Sequence, residues 1–143
     1  MSLDEKKQFI LFRLRESEES LRDAQLLFEN KSFRSSVNRS YYSMFYGILA
    51  LIQTTGGSIS KHTGVISHFD KEFVKTGKFP RESSKLLHSA FELRQESDYL
   101  DMKEVSLKEA EAILQSAKNL FSQIKEYLSI TYSLFYKSEE EER

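Results

Sequence analysis

The sequence has no cysteine, and only one proline and five glycines in 143 residues. Without cysteine there is no disulfide framework, no thiolate-ligated zinc or iron–sulfur cluster and no thiol nucleophile. That absence fits an intracellular protein best, and a cytoplasmic location is expected. Long apolar runs are missing too. The longest, Met44 to Ile52, falls far short of the ~20 residues that span a bilayer. No basic segment followed by an apolar one opens the chain, so neither a leader nor a membrane partner is expected. Charge of one sign is also lacking. A formal net charge of −1 and a pI of about 6.3 give no global field to draw the chain onto nucleic acid, so any RNA or nucleotide contact must be local.

What remains favours helix. Hydrophobic residues make up 39% and charged residues 30% of the chain, which fits one globular domain with long helices. Ile10, Leu14, Leu21, Ala24 and Leu27/Phe28 recur at helical spacing and predict a first helix over 3–30. Asn30-Lys31-Ser32 interrupts it, with Ser32 placed to cap a second helix over 33–53. That helix carries apolar or aromatic residues around so much of its circumference that it should be central. Gly56-Gly57 marks a loop, and a third helix is predicted over 63–74. Pro80 introduces a fourth over 81–99, and Ser106 with Glu109 forms a capping-box signal for a fifth.

In that fifth helix Ala110, Leu114, Ala117, Phe121, Ile124, Leu128, Thr131 and Phe135 alternate spacings of four and three. Such a stripe needs a long partner, with helix one the natural antiparallel neighbour and a second subunit taking any surplus. The expected architecture is an all-α, antiparallel up-and-down bundle of about five helices. It forms one domain over 1–137, followed by an acidic, disordered tail over 138–143.

Few residues offer chemistry. The histidines His62, His68 and His88 lack the spacing that puts two ligands on one helix face, so no metal site is expected and no cofactor is implied. Lys61-His62-Thr63-Gly64 opens a predicted helix, where free backbone N–H groups favour an anion, although a solvated Lys61 and a capping Thr63 explain the same residues. Gly56-Gly57 has neither the lysine motif nor the preceding strand of a phosphate loop. Arg39 and Tyr42 on helix two and Arg94, Asp98 and Tyr99 on helix four stand near buried faces, where charges need partners. An Arg94–Asp98 pair satisfied by tyrosine hydroxyls would organise the bundle. The same arginine and tyrosine groove would also suit phosphates and stacked bases.

Three blocks in order resemble one family. Arg39-Ser40-Tyr41-Tyr42-Ser43-Met44-Phe45-Tyr46, Ser60-Lys61-His62-Thr63-Gly64-Val65-Ile66-Ser67 and Leu93-Arg94-Gln95-Glu96-Ser97-Asp98-Tyr99 are similar to segments of HEPN-domain proteins, in particular their small stand-alone prokaryotic branch. The resemblance implies a helical bundle that forms a homodimer and is often encoded beside a minimal nucleotidyltransferase as a toxin–antitoxin-like pair. Ribonuclease members carry an Arg-x(4–6)-His motif, but here Tyr99, Leu100 and Asp101 occupy the histidine positions. Metal-independent RNA cleavage needs a proton acceptor, and arginine is too basic to be one. If the chain is a ribonuclease, Arg94, Asp98, Tyr99 and His62 are the candidate catalytic residues. The preferred reading is a dimeric binding module that presents Arg39, Tyr42, Lys61, His62, Arg94, Asp98 and Tyr99 to nucleotide, RNA or a nucleotidyltransferase partner. A purely structural partner protein is the third reading.

Overall fold

The computed structural model describes residues 2–56, 62–99 and 103–138, and within these the side chains of Thr63 and Tyr99 lie outside the description. The described residues form five α-helices, with no strand among them: α1 Leu3–Glu29, α2 Phe33–Thr54, α3 His62–Phe69, α4 Arg81–Tyr99 and α5 Leu107–Tyr132. The all-α bundle expected from periodicity is the observed fold.

Helix α2 is the hub and packs on α1, α3, α4 and α5. Its buried residues include Val37, Tyr41, Met44, Ile48, Leu51 and Ile52, so the apolar circumference seen in the sequence is its core. Helix α5 delivers Ala110, Leu114, Ala117, Ile124 and Leu128 inward, but it packs more extensively on α2 than on α1. The expected α1–α5 pairing is therefore secondary. Gly47 admits α5 closely, since a Cβ there would lie 2.9 Å from Ile124 Cδ1, while Ser36 and Ser43 bond to α1.

Three local expectations change. Ser32 stands at the start of α2 but makes no side-chain cap; its backbone N–H instead reaches Leu27 O at 2.8 Å and closes the end of α1. The third helix does not run evenly to Val74. It widens into a π turn at Asp70–Val74, where Lys75 N donates to Asp70 O, and Phe69 and Phe73 both lie in the core. The α5 stripe ends before Phe135. Ser133 adopts a left-handed backbone with φ 53°, and Leu134 N donates back to Leu128 O at 3.1 Å. The chain then returns along α1 with Leu134 and Tyr136 buried and Phe135 77% exposed. Thr131 is exposed and Phe121 half-buried, so the inward stripe is shorter than its sequence pattern. The Ser106–Glu109 capping box forms in full. Most of the acidic tail, 139–143, lies outside the described residues.

Candidate functional site

On one side of α2, where α3 and α4 approach, a polar groove is built around Tyr42. Helical spacing on α2 sets Asn38, Tyr41, Tyr42, Phe45 and Tyr46 along one flank, and the same spacing on α4 stacks Arg94 above Asp98. Arg94 Nε lies 2.9 Å from Asp98 Oδ2, with the Arg94 side chain 14% exposed. The contact is an ion pair without a well-aligned N–H, since Nε is buried and makes no hydrogen bond among the described residues. Arg94 Nη2 donates to Tyr42 Oη at 3.1 Å, and the guanidinium stands over the rings of Tyr42 and Tyr41, 5.3 and 5.6 Å from their centroids. Nη1 of Arg94 donates to no protein group among the described residues.

Arg39 approaches the same tyrosine. Its Cζ is 4.9 Å from the Tyr42 centroid, and its Nε and Nη2 both donate to Asn38 Oδ1, at 3.2 and 3.0 Å. Asn38 Nδ2 in turn reaches Asp98 Oδ2 at 3.4 Å, which closes a ring of contacts from Arg94 through Tyr42, Arg39, Asn38 and Asp98. Two guanidiniums against one carboxylate leave the groove locally cationic in a chain whose formal net charge is −1.

His62 enters from the start of α3. Its ring lies flat on Phe45, with centroids 4.3 Å apart and an interplanar angle of 13°, and its Nδ1 is 2.8 Å from Tyr41 Oη. Burial lowers the His62 pKa below its ordinary value, and the nearby Arg94 charge lowers it further, so the ring is neutral at pH 7. Burial pushes the Tyr41 hydroxyl far above the usual phenol range, an effect that Arg94 only partly offsets.

The structure thus brings together Arg39, Tyr42, His62, Arg94 and Asp98 from the sequence-derived set. Lys61 and the side chain of Tyr99 lie outside the described residues, as do Leu100 and Asp101. His68 and His88 stand apart from the groove, with His68 Nε2 3.2 Å from Thr55 Oγ1 and His88 Nε2 2.8 Å from Asp70 Oδ2. Sequence reasoning missed Asn38 and Tyr41. Asn38 directly precedes Arg39, where a short amide can pin a guanidinium. Tyr41 stands among apolar neighbours in the sequence, yet a buried phenol requires a hydrogen-bond partner, and that requirement is the signal that finds it. No group of three or more potential metal-ligating side chains occurs among the described residues.

The pattern of the HEPN domain matches residues 10–127 of this chain. The chain belongs to the HEPN domain family. It is 38% identical over 130 residues to a UPF0332 protein of Thermotoga maritima, covering 86% of this chain and 98% of that one. Two Methanocaldococcus jannaschii proteins named as candidate toxins are 34% and 36% identical over 115 and 112 residues. These matches cover 80% and 78% of this chain, and 78% and 83% of the respective relatives. A toxin–antitoxin-like HEPN module fits these relatives. No helix among the described residues is long and apolar enough to cross a membrane.

Proposed function

We propose that this HEPN chain is a homodimeric binding module whose groove between α2, α3 and α4 takes the phosphate of a nucleotide or RNA, within a cytoplasmic toxin–antitoxin-like pair completed by a small nucleotidyltransferase. The observation that carries the reading is the state of Arg94. Its guanidinium is fixed by Asp98 and by two tyrosine faces, yet among the described residues Nη1 has no protein acceptor. A guanidinium needed only to hold the bundle would have its donors satisfied within it; one that is rigidly held with a donor free is prepared for a planar, charged acceptor such as phosphate. Arg39 adds a second positive charge, and the half-buried Tyr42 and Tyr46 offer ring edges and faces of the kind that stack bases. For the dimer, support comes from aromatic side chains left at the surface, with Phe9, Phe12 and Phe135 exposed by 45, 54 and 77%. The toxin names of two relatives support a paired system.

Arg94→Lys tests the reading, because lysine keeps the charge and loses the fork. Titration of the folded proteins with a short single-stranded oligoribonucleotide should show affinity falling about tenfold or more, the loss expected when a charge-assisted hydrogen bond to phosphate goes. Equal binding by both proteins would leave Arg94 a structural residue.

A second reading has one observation behind it: His62 packs on Tyr41 on the same flank as Arg94 and so offers an imidazole where the Arg-x(4–6)-His motif lacks one. RNA cleavage by the pure protein in chelator, abolished by His62→Gln, would establish a metal-independent ribonuclease with an altered motif.

A further inference from the structure

The buried hydroxyl of Tyr41 determines which nitrogen of His62 carries the proton. Tyr41 is fully buried, and its only hydrogen-bond partner among the described residues is His62 Nδ1, at 2.8 Å. A phenol in that position must dispose of one proton, and leaving it without an acceptor costs the full desolvation of the group. If Nδ1 carried the imidazole proton, two hydrogens would face each other across this contact, or the hydroxyl would turn its own away from the only acceptor it has among the described residues; the Tyr41 ring itself packs on Phe45 and Phe91, at 6.1 and 5.7 Å between ring centroids. Among the described residues only one arrangement satisfies both groups, in which Tyr41 O–H donates to Nδ1 and the imidazole proton sits on Nε2. Nε2 has no partner among the described residues, and the ring is partly exposed.

We infer that His62 serves the groove as a neutral Nε2–H donor to a phosphate oxygen bound at Arg94, and that Tyr41 is the positioning residue that holds it in this tautomer. This role rests on the phosphate-binding reading above and specifies its chemistry: the site meets the anion with a charged fork and a neutral imidazole N–H. The groups facing His62 agree with a neutral donor. Arg94 from α4 disfavours a second positive charge, Tyr41 and Tyr42 from α2 place phenol rings against it, and the Phe45 face excludes water from one side of the ring. Nε2, the nitrogen that would have to accept a proton in RNA cleavage, is already occupied. The same assignment therefore argues against His62 as a general base.

The test combines long-range proton–nitrogen NMR spectra of the three histidines with titration of inorganic phosphate and a short single-stranded oligoribonucleotide, all on the full chain. The His62 signals are identified by their loss in His62→Gln. At about pH 8, above the ordinary histidine range, His62 should show a protonated Nε2 and an unprotonated, hydrogen-bonded Nδ1, and Tyr41→Phe should shift the Nδ1 signal. His62→Gln, which keeps an N–H donor, should bind the oligoribonucleotide within about twofold of wild type, and His62→Ala about tenfold more weakly. A protonated Nδ1 in the wild type would overturn the inference even if RNA binds normally. Unchanged binding by His62→Ala would overturn the donor role. A wild type that takes up neither phosphate nor RNA would overturn the donor role together with the groove reading, while the tautomer result would stand on its spectra alone.

Discussion

Helix α2 has two polar flanks, and they differ in what their donors are left to do. Against α1, Ser17 Oγ donates to Ser43 O at 2.6 Å while Ser43 Oγ donates to Ser17 O at 2.8 Å, and Ser36 Oγ donates to Ala24 O at 2.8 Å. All three serines are buried, and each hydroxyl is spent on a carbonyl of the partner helix. Against α3 and α4 the polar groups are larger and charged, they bond to one another, and Arg94 and His62 each keep a donor over among the described residues. A closed exchange of hydrogen bonds positions helices. A rigid group with a free donor at a half-exposed surface can still bind something.

The comparison can be broken at several points. The largest effect is expected at Gly47, where the α1 flank meets α5. A Cβ there would lie 2.9 Å from Ile124 Cδ1 and 3.5 Å from Ser17 Oγ. Gly47→Ala gains about 1 kcal/mol of helix propensity but overpacks the contact by about 1–3 kcal/mol, so a net loss of about 1 kcal/mol is expected in chemical denaturation. Ile124→Val removes the clashing methyl, and in that background Gly47→Ala should become neutral or stabilising. A loss of the same size in both backgrounds would show that the close approach is not what requires glycine.

Ser40 is the exception on the buried serine stripe, for its Oγ has no hydrogen-bond partner among the described residues. Ser40→Ala should therefore raise stability by about 1 kcal/mol, opposite in sign to the same change at Ser17. A destabilised Ser40→Ala would mean that its hydroxyl is bonded after all.

The smallest effect concerns pH. The folded-state pKa of His62 is lowered, so below about pH 6.5, the ordinary histidine value, the unfolded chain binds more protons than the native one. Stability contributed by neutral His62 is full above that value and is lost as pH falls toward the folded pKa. Wild type should thus lose stability relative to His62→Gln as the pH falls below about 6.5. Parallel pH profiles would show that His62 is not desolvated against Phe45.

Helical periodicity made the bundle legible before any coordinates, because each helix buries one face and its end signals are local. The Ser106–Glu109 box and Pro80 placed their boundaries correctly. Tertiary geometry decided the rest. The π turn after Phe69 has no signal in the local sequence pattern, and the return of the chain at Ser133 exposes Phe135 although it falls on the heptad. In the groove, i,i+4 spacing identified Arg94 with Asp98, and Arg39 lay beside Tyr42. The contact between Tyr41 and His62 joins residues 21 positions apart on two different helices, where no periodicity applies.

The most direct test of the claim that the two flanks do different work uses two substitutions and two measurements on each. Ser17→Ala and Arg94→Lys are compared for unfolding free energy and for affinity toward a short single-stranded oligoribonucleotide. The account predicts a crossed result: Ser17→Ala loses about 1 kcal/mol of stability and binds as wild type does, whereas Arg94→Lys unfolds within about 0.5 kcal/mol of wild type and loses about tenfold or more in affinity. An Arg94→Lys protein that is clearly destabilised yet binds RNA as the wild type does would contradict it.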